Sequence, residues 1–364
     1  MNQISTCWTA RFNNALQNST AILSRHPQLT MADELDSVIK EMTECDGRDV
    51  YGSGGLVSEF EVELSELFEK SNCVFLPTGV LAQCAAMKCY SEDSGKSGIG
   101  LHPSSHLLLH EYMAIEALWG LTTVATGEYN KVLSIDGLHR LDPSSTCAII
   151  IELPMREIGG VLPNWDQLVE MRRWCDENDV KMHMDGARVW QITDYFDRSL
   201  PEIAALFDSV YVSFYKDLGA ISGAALLGND WFINDARVWA RRAGGNPITL
   251  YPEVISARRG LQKFLPKMSS YAKFSRSLTK QLSGATVTVI PEQPQTSMFH
   301  LQINMSPDTL AEKIVIYAER TGVMVLPLPR SGNKQKSICE ITIGDNALAH
   351  STAYWTEHIT NMLS

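Results

Sequence analysis

The sequence predicts an α/β protein built around a mostly parallel, seven-stranded-type sheet covered by helices, with a smaller α+β domain at the carboxyl end. Two observations predict this. Apolar runs of strand type alternate with helical patterns through the first two-thirds of the chain, and such alternation is typical of parallel sheets covered on both faces. From about residue 255 the pattern changes to helices followed by short strands, which indicates the second domain.

The amino-terminal half contributes most of the predicted sheet. The helix predicted over 31–42 places Leu35, Val38, Ile39 and Met42 on one face. A second helix over 58–70 mixes apolar residues with acids, and regular alternation of short apolar runs follows. The next elements predicted are strand 73–76, helix 79–90, a strand near Leu107, helix 114–119, strand 122–125 and strand 148–153.

The carboxyl-terminal half completes the sheet and then changes pattern. The large-domain elements predicted there are helix 165–177, strands 180–184 and 209–213, a return strand 224–228 and helix 231–242. Residues 244–247 read Gly-Gly-Asn-Pro, which ends that helix. The elements predicted beyond it are helices 253–265 and 271–282, and strands 287–290, 298–303 and 339–343. We therefore expect an amino-terminal segment over 1–48, a large domain over 49–254 and a small domain over 255–364.

Composition excludes several classes of protein. The 364 residues carry 31 basic and 42 acidic side chains, a formal charge of −11, which disfavours a nucleic acid partner. No run approaches the roughly 18 apolar residues of a membrane span, and the amino terminus lacks the apolar region of a signal peptide. The eight cysteines form no Cys-x-x-Cys motif, so we expect a reducing, cytoplasmic location and no structural metal.

Two charged segments follow predicted strands. They are His183-Met184-Asp185-Gly186-Ala187-Arg188 and Ser213-Phe214-Tyr215-Lys216-Asp217-Leu218-Gly219. Either Asp185 or Lys216 alone would ordinarily belong to the solvated rim of a sheet. Together they suit pyridoxal phosphate, which needs a lysine amine for a Schiff base and a carboxylate that keeps the pyridine nitrogen protonated.

These segments resemble the threonine aldolase family and its beta-eliminating lyase relatives, which are fold type I pyridoxal phosphate enzymes. The similarity continues in the same order through Asp49–Gly52, Phe75–Gly79 and Arg241–Gly245, so it covers roughly residues 49–250. In this fold type the amino-terminal segment usually joins the small domain, which is the arrangement that the resemblance implies for residues 1–48.

The resemblance also implies a set of site residues. Thr78, Gly79 and Val80 match a phosphate loop, where amide groups at a helix start bind anions, although Thr78 could equally be a simple helix cap. His106 matches a histidine that stacks on the cofactor ring beside Glu111, with His110 as a competing assignment. The cofactor-binding set is therefore Thr78, Gly79, Val80, His106, Asp185, Arg188, Ser213, Lys216 and Arg241, of which Lys216, Asp185 and His106 are the catalytic residues.

Arg188 and two further positions have more specific roles by resemblance. Arg188 matches an arginine that hydrogen-bonds the cofactor's phenolic oxygen; the alternative is an ion pair at the strand edge. Tyr51 and the Arg241–Arg242 pair match regions that reach a neighbouring subunit's site, with Arg241 favoured of the two arginines. This implies a homodimer or homotetramer with shared active sites.

The substrate side departs from the family at three places. The Ser-Asp-Thr segment of threonine aldolases is not found among residues 1–18, and Glu340 stands where the family has a carboxylate-binding arginine. Met155 or Arg156 stands where the family has a histidine. Arg156 and Arg330 are the candidates for a replacement carboxylate anchor, with Arg156 favoured; for each, an exposed loop arginine is an equally good interpretation.

The function that the resemblance implies is a lyase that cleaves the Cα–Cβ bond of a β-hydroxy-α-amino acid into glycine and an aldehyde. Beta-elimination from another amino acid is the alternative, and a transaminase or racemase outcome would use the same residues. A catalytically degenerate relative that only holds the cofactor is a third hypothesis, against which an intact Lys216 argues. A small-molecule amino acid is the expected substrate in every active case.

Overall fold

The protein is described by a computed structural model that covers residues 4, 6–43, 47–282 and 287–364. The chain divides into two compact units. The larger unit consists of Leu29–Glu157 and Leu162–Pro266, and the smaller unit of Met1–Gln28, Ile158–Val161 and Lys267–Ser364. Within the described ranges, no helix is both long and apolar enough to cross a membrane.

The helices of the described residues are given in chain order. They are α1 (Thr6–Asn18), α2 (Met31–Glu41), α3 (Gly55–Phe68), α4 (Gly79–Ser94), α5 (His106–Leu109), α6 (Ala114–Trp119), α7 (Ile135–Leu138), α8 (Trp165–Glu177), α9 (Thr193–Phe196), α10 (Leu200–Ala204), α11 (Asp230–Arg242), α12 (Tyr251–Phe264), α13 (Met268–Leu282), α14 (Pro307–Thr321), α15 (Asp345–Leu348) and α16 (Thr352–Leu363). Short 3₁₀ helices span Arg156–Ile158, Val189–Gln191 and Leu265–Lys267.

The strands follow the same convention. They are β1 (Ala21–Ile22), β2 (Asn72–Leu76), β3 (Gly98–Leu101), β4 (Thr122–Ala125), β5 (Thr146–Glu152), β6 (Lys181–Gly186), β7 (Ser209–Ser213), β8 (Ala224–Gly228), β9 (Val287–Ile290), β10 (Met298–Ile303), β11 (Val323–Met324), β12 (Ser331–Gly332) and β13 (Ser337–Thr342).

The larger unit is built around a sheet that has seven strands among the described residues, in the order β2-β8-β7-β6-β5-β3-β4. Strand β8 runs antiparallel to both β2 and β7, and the remaining pairs are parallel. Every strand except β8 therefore points the same way, and their carboxyl ends share one edge. The predicted fold class is confirmed, including the return strand at 224–228.

Helices cover both faces of this sheet, because the strands are apolar on both faces. Each residue of β5 is buried, as expected for a strand with no solvated side. On β2 the side chains alternate between the two layers: Val74 belongs to the cluster that includes α4 and α11, whereas Phe75 packs on Phe60 of α3, with ring centroids 6.1 Å apart.

One predicted strand is wrong. Leu107 lies in the short helix α5, and the strand in this part of the chain is β3, Gly98–Leu101. The glycines of β3 hide the apolar pattern, yet the packing requires them: a Cβ on Gly98 would lie 2.7 Å from the Ser145 carbonyl oxygen, and one on Gly100 would lie 2.8 Å from Leu141. The Leu107–Leu109 run, in contrast, is too short to distinguish helix from strand.

The smaller unit contains an antiparallel sheet with the order β12-β13-β10-β9 among the described residues, and a short parallel pair of β1 and β11. Along β13, Ser337, Cys339 and Ile341 are buried, and the residues between them, including Glu340, are only partly buried. This alternation of period two is typical of a strand with one face on a core.

Candidate active site

The shared edge of the seven-stranded sheet brings Asp185 next to two other strands. Asp185, near the end of β6, is the register partner of Glu152 on β5 and of Tyr211 on β7. It is 2% exposed, and its carboxylate accepts the Ala187 N–H at 3.1 Å and a hydrogen bond from the Gln83 side chain. Burial raises the pKa of Asp185, and the charge of Lys216 opposes this rise.

Lys216 lies three residues beyond β7, in a turn that is held at two points. The indole N–H of Trp190 donates to the Ser213 carbonyl at 2.9 Å, and the Gln191 amide donates to Asp217 at 2.7 Å. Burial and the neighbouring Arg188 lower the pKa of Lys216. The amine is therefore unprotonated more readily than an exposed lysine, as a nucleophilic lysine requires.

Arg188 follows β6 directly and is 9% exposed. Its charge contributes to the lowered pKa of Lys216 and of His106, which places the guanidinium among these groups. A buried cation in this position suits an anionic oxygen on a cofactor.

The predicted phosphate loop is the start of α4. Thr78 is the N-cap and accepts the Leu81 N–H at 3.3 Å, so its hydroxyl does serve as a helix cap. Capping leaves the amides of Gly79 and Val80 at the positive end of a 16-residue helix. A Cβ on Gly79 would lie 2.0 Å from the Tyr211 hydroxyl oxygen, so only glycine fits between this turn and the sheet.

Buried polar atoms that lack a hydrogen-bond partner indicate whether this site fits pyridoxal phosphate. In the described part of the chain, the Ser105 hydroxyl and the Gln83 side-chain oxygen are buried without a hydrogen-bond partner. Orphaned buried groups of this kind are rare unless a ligand completes them. With a carboxylate, a lysine, an arginine and a helix start at the same sheet edge, the residues fit the cofactor's ring nitrogen, aldehyde, phenolic oxygen and phosphate.

His106 is a neutral imidazole. Its Nδ1 lies 3.0 Å from the Glu111 carboxylate, and burial, aided by the charge of Lys216, lowers the pKa of His106 to about 4. The contact is therefore a hydrogen bond that the neutral ring donates to Glu111. His110, the competing assignment, lies with its ring centroid 5.0 Å from that of His106 and contacts Glu157 at 2.8 Å.

Tyr51 and Arg241 lie together in the larger unit. The Arg241 guanidinium sits 5.5 Å from the Tyr51 ring centroid, and Tyr51 is 49% exposed. The backbone before Tyr51 is fixed by Asp49, a buried residue whose role the sequence did not indicate. Its carboxylate accepts the amides of Leu250 at 2.9 Å and Tyr251 at 3.1 Å, at the start of α12.

The two candidate carboxylate anchors lie in different units. Arg156, in the larger unit, begins a 3₁₀ turn just beyond β5, and its backbone N–H donates to Glu152 at 3.1 Å. Its charge contributes to the lowered pKa of His106. Met155, which with Arg156 is one of the two candidates for the position of the family's histidine, is 2% exposed. Arg330, in the smaller unit, contacts Glu340 at 3.2 Å and His300 at 3.3 Å.

Comparison with known proteins identifies the family. The family model of the beta-eliminating lyases matches residues 30–306. The chain belongs to the beta-eliminating lyase family. This confirms the predicted family, its pyridoxal phosphate dependence and its lyase class.

The sequences of individual relatives align with most of this chain. A low-specificity L-threonine aldolase of Saccharomyces cerevisiae is 25% identical over 283 residues, which are 74% of this chain and 72% of the yeast protein. The crystal structure of a candidate L-allo-threonine aldolase from Listeria monocytogenes is 33% identical, covers 98% of this chain and 99% of its own, and has a TM-score of 0.91. A candidate beta-eliminating lyase/threonine aldolase from Exiguobacterium is 29% identical, with 97% and 99% coverage and a TM-score of 0.91.

Proposed function

We propose that this beta-eliminating lyase family member cleaves the Cα–Cβ bond of a β-hydroxy-α-amino acid, releasing glycine and an aldehyde. The observation that carries the proposal is the pairing of a buried Asp185 with a lysine of lowered pKa, Lys216, at neighbouring strand ends. Its full-length similarity to a candidate L-allo-threonine aldolase supports this reaction over others of the fold.

Pyridoxal phosphate, when bound, supplies a carbonyl that captures amines and a protonated ring that accepts the electron pair of the broken Cα–Cβ bond. Asp185 would hold the proton on the ring nitrogen, and Lys216 would supply the amine for the carbonyl. Arg188 would stabilise the negative phenolic oxygen. His106, uncharged at neutral pH, would pack on the ring without adding a cation.

The phosphate group is held by the loop at the start of α4. The amides of Gly79 and Val80 would donate to it, and the buried hydroxyl of Ser213 would supply a further donor. Thr78 fixes the turn as the helix cap. Arg241 adds a cation.

Arg156 is the anchor that we propose for the substrate carboxylate. It lies in the larger unit, and its charge reaches His106. A guanidinium there can bind a carboxylate through two hydrogen bonds. Arg330 is the weaker candidate, because Glu340 already offsets its charge at 3.2 Å.

Beta-elimination is the second candidate, and one observation favours it. By the family resemblance, either the buried Met155 or Arg156 stands where the family has a histidine, and neither a thioether nor a guanidinium can accept the proton of a substrate's β-hydroxyl. In beta-elimination, Lys216 would instead remove the α proton and a leaving group would depart from Cβ.

We further propose a homodimer or homotetramer that works in the cytoplasm. Support for a shared active site comes from Tyr51. Its side chain is half exposed, and the Arg241 guanidinium lies over its ring. Large exposed aromatic residues with a cationic partner are common in protein interfaces.

A substrate panel tests the proposed reaction. Holoenzyme is incubated separately with threonine, allo-threonine, phenylserine and cysteine, and the products are identified by mass spectrometry, with Lys216→Ala as the inactive control. Glycine with acetaldehyde or benzaldehyde is the expected result. Pyruvate with sulfide from cysteine alone would support beta-elimination instead, and no product from any of the four would contradict both candidates.

A further inference from the structure

Glu152 and Asp185 are two buried carboxylates on adjacent strands. They are register partners in the parallel pair of β5 and β6, so their side chains emerge on the same face of the sheet. Glu152 is 9% exposed and Asp185 is 2% exposed. None of the roles assigned above uses Glu152.

The two carboxylates have unequal surroundings. Asp185 accepts the Ala187 N–H at 3.1 Å and a hydrogen bond from Gln83, and the charge of Lys216 acts on it more strongly than that of Arg188. Glu152 accepts the backbone N–H of Arg156 at 3.1 Å. Since hydrogen-bond donors and cations stabilise the ionised form, Asp185 is the better site for a negative charge.

We propose that Glu152 is a positioning residue of the cofactor site: it carries the proton that the pair shares, and thereby keeps Asp185 ionised for the cofactor's ring nitrogen. Two adjacent buried carboxylates cannot both ionise without strong repulsion, so the pair holds one proton near neutral pH. The inference rests on the role proposed above for Asp185.

The charged groups that face Glu152 are consistent with a proton on Glu152 and a negative charge on Asp185. They come from three elements: Asp185 on β6, Arg188 directly after it, and Lys216 after β7. Burial, and then repulsion from Asp185, raise the pKa of Glu152 to about 7, against the opposing effect of the Arg156 N–H and the two cations. The negative charge on Asp185 is therefore balanced by Lys216 and Arg188 without a second anion beside it.

Infrared difference spectroscopy of the holoenzyme tests where the proton lies. A protonated carboxyl group has a C=O stretch that ionised carboxylates lack, and glutamate labelled with ¹³C in its carboxyl group shifts the band only if the acid is a glutamate. We expect a band that shifts with the label and disappears with a midpoint near pH 7. A band insensitive to labelled glutamate, or no protonated-carboxyl band at pH 6, would overturn the proposal.

Two variants identify which glutamate carries the proton. Glu152→Gln should abolish the titrating band. Glu61→Gln is the matched control, because Glu61 is also buried but is ion-paired with Arg237 at 2.6 Å, and this variant should keep the band. Loss of the band in Glu61→Gln, or its survival in Glu152→Gln, contradicts the proposal.

Thermal melting gives a readout that is independent of catalysis. Because folding raises the pKa of Glu152 from its ordinary 4.5 to about 7, the folded state holds an extra proton between these values, and wild-type stability falls as pH rises through this window. The melting temperature of Glu152→Gln relative to wild type should therefore increase between pH 5 and 7.5. A difference in melting temperature between Glu152→Gln and wild type that stays constant over this pH range would count against the shared proton. None of these measurements uses amino acid cleavage, so failure of the proposed reaction is a separate result.

Discussion

The Glu340 carboxylate lies 3.2 Å from the Arg330 guanidinium, and both side chains are largely buried, 8% and 17% exposed. Glu340 occupies the position at which the family has a carboxylate-binding arginine. The Glu340 carboxylate offsets the positive charge of Arg330, and His300 lies beside both groups. An arginine with an offset charge binds a substrate carboxylate less strongly. We therefore expect Arg330 to contribute mainly to the stability of the smaller unit.

The first prediction separates the two arginines. Arg156→Ala should raise KM for an α-amino acid about 10- to 150-fold, because a charged hydrogen-bonded anchor contributes roughly 1.5–3 kcal/mol. Arg330→Ala should instead lower the free energy of unfolding by about 1.5–3 kcal/mol, because it removes the cation that lies 3.2 Å from the Glu340 carboxylate. Steady-state kinetics and denaturant unfolding measure the two effects.

The double variant Arg330→Ala/Glu340→Gln is the control for that interpretation. Removing the Glu340 charge as well should restore much of the lost stability. A large KM increase in Arg330→Ala, with KM unchanged in Arg156→Ala, would assign the anchor to Arg330 and refute our choice.

The second prediction concerns Lys216. Lys216→Ala should reduce turnover by a factor of about 1,000 or more, because the amine that binds the cofactor's carbonyl is lost. The variant should also lose the visible absorbance of lysine-bound cofactor and the covalent label that borohydride fixes in the wild type. Peptide mapping that found borohydride-fixed cofactor on another lysine, with normal turnover, would reject the assignment.

Sequence patterns were sufficient for the larger sheet and its two charged segments. Strands β5 and β7 are apolar and bounded by polar residues, and their ends carry the residues that a family resemblance can locate. The same patterns were insufficient for β3, because its two glycines are dictated by close packing rather than by β propensity. Helices α14 and α16 of the smaller unit were not predicted at all.

Parts of the site depend on spatial relationships that a sequence does not contain. Glu152 becomes notable only because the register of β5 on β6 sets it beside Asp185. Asp49 is structurally important because three backbone or side-chain donors, 200 residues away in the chain, converge on it. Spacing along the chain gives no indication of such contacts.

The third prediction concerns Asp185. Asp185→Asn should still bind the cofactor but lose activity at least about 100-fold, since a neutral amide cannot hold a proton on the ring nitrogen. The Asn side-chain oxygen can still accept the Ala187 N–H, so the fold around β6 should persist. Cofactor affinity is measured by fluorescence titration and turnover by product assay. Activity within a few-fold of wild type would show that another residue stabilises the protonated ring.

The last prediction is a pH dependence of stability that involves His106. Burial lowers the pKa of His106 from 6.5 to about 4, so the unfolded chain binds a proton that the folded protein excludes between these values. The contribution of His106 to the free energy of unfolding is therefore fully present above about pH 6.5 and is lost progressively as pH falls toward 4. Glutamine cannot take up this proton. The melting temperature of His106→Gln minus that of wild type should therefore increase as the pH is lowered from 7.5 to 5. His139→Gln is the control, because His139 is an exposed histidine and its removal should leave the difference unchanged. Equal pH dependence in wild type and His106→Gln would mean that folding does not lower the pKa of His106, and would contradict the neutral hydrogen bond inferred here.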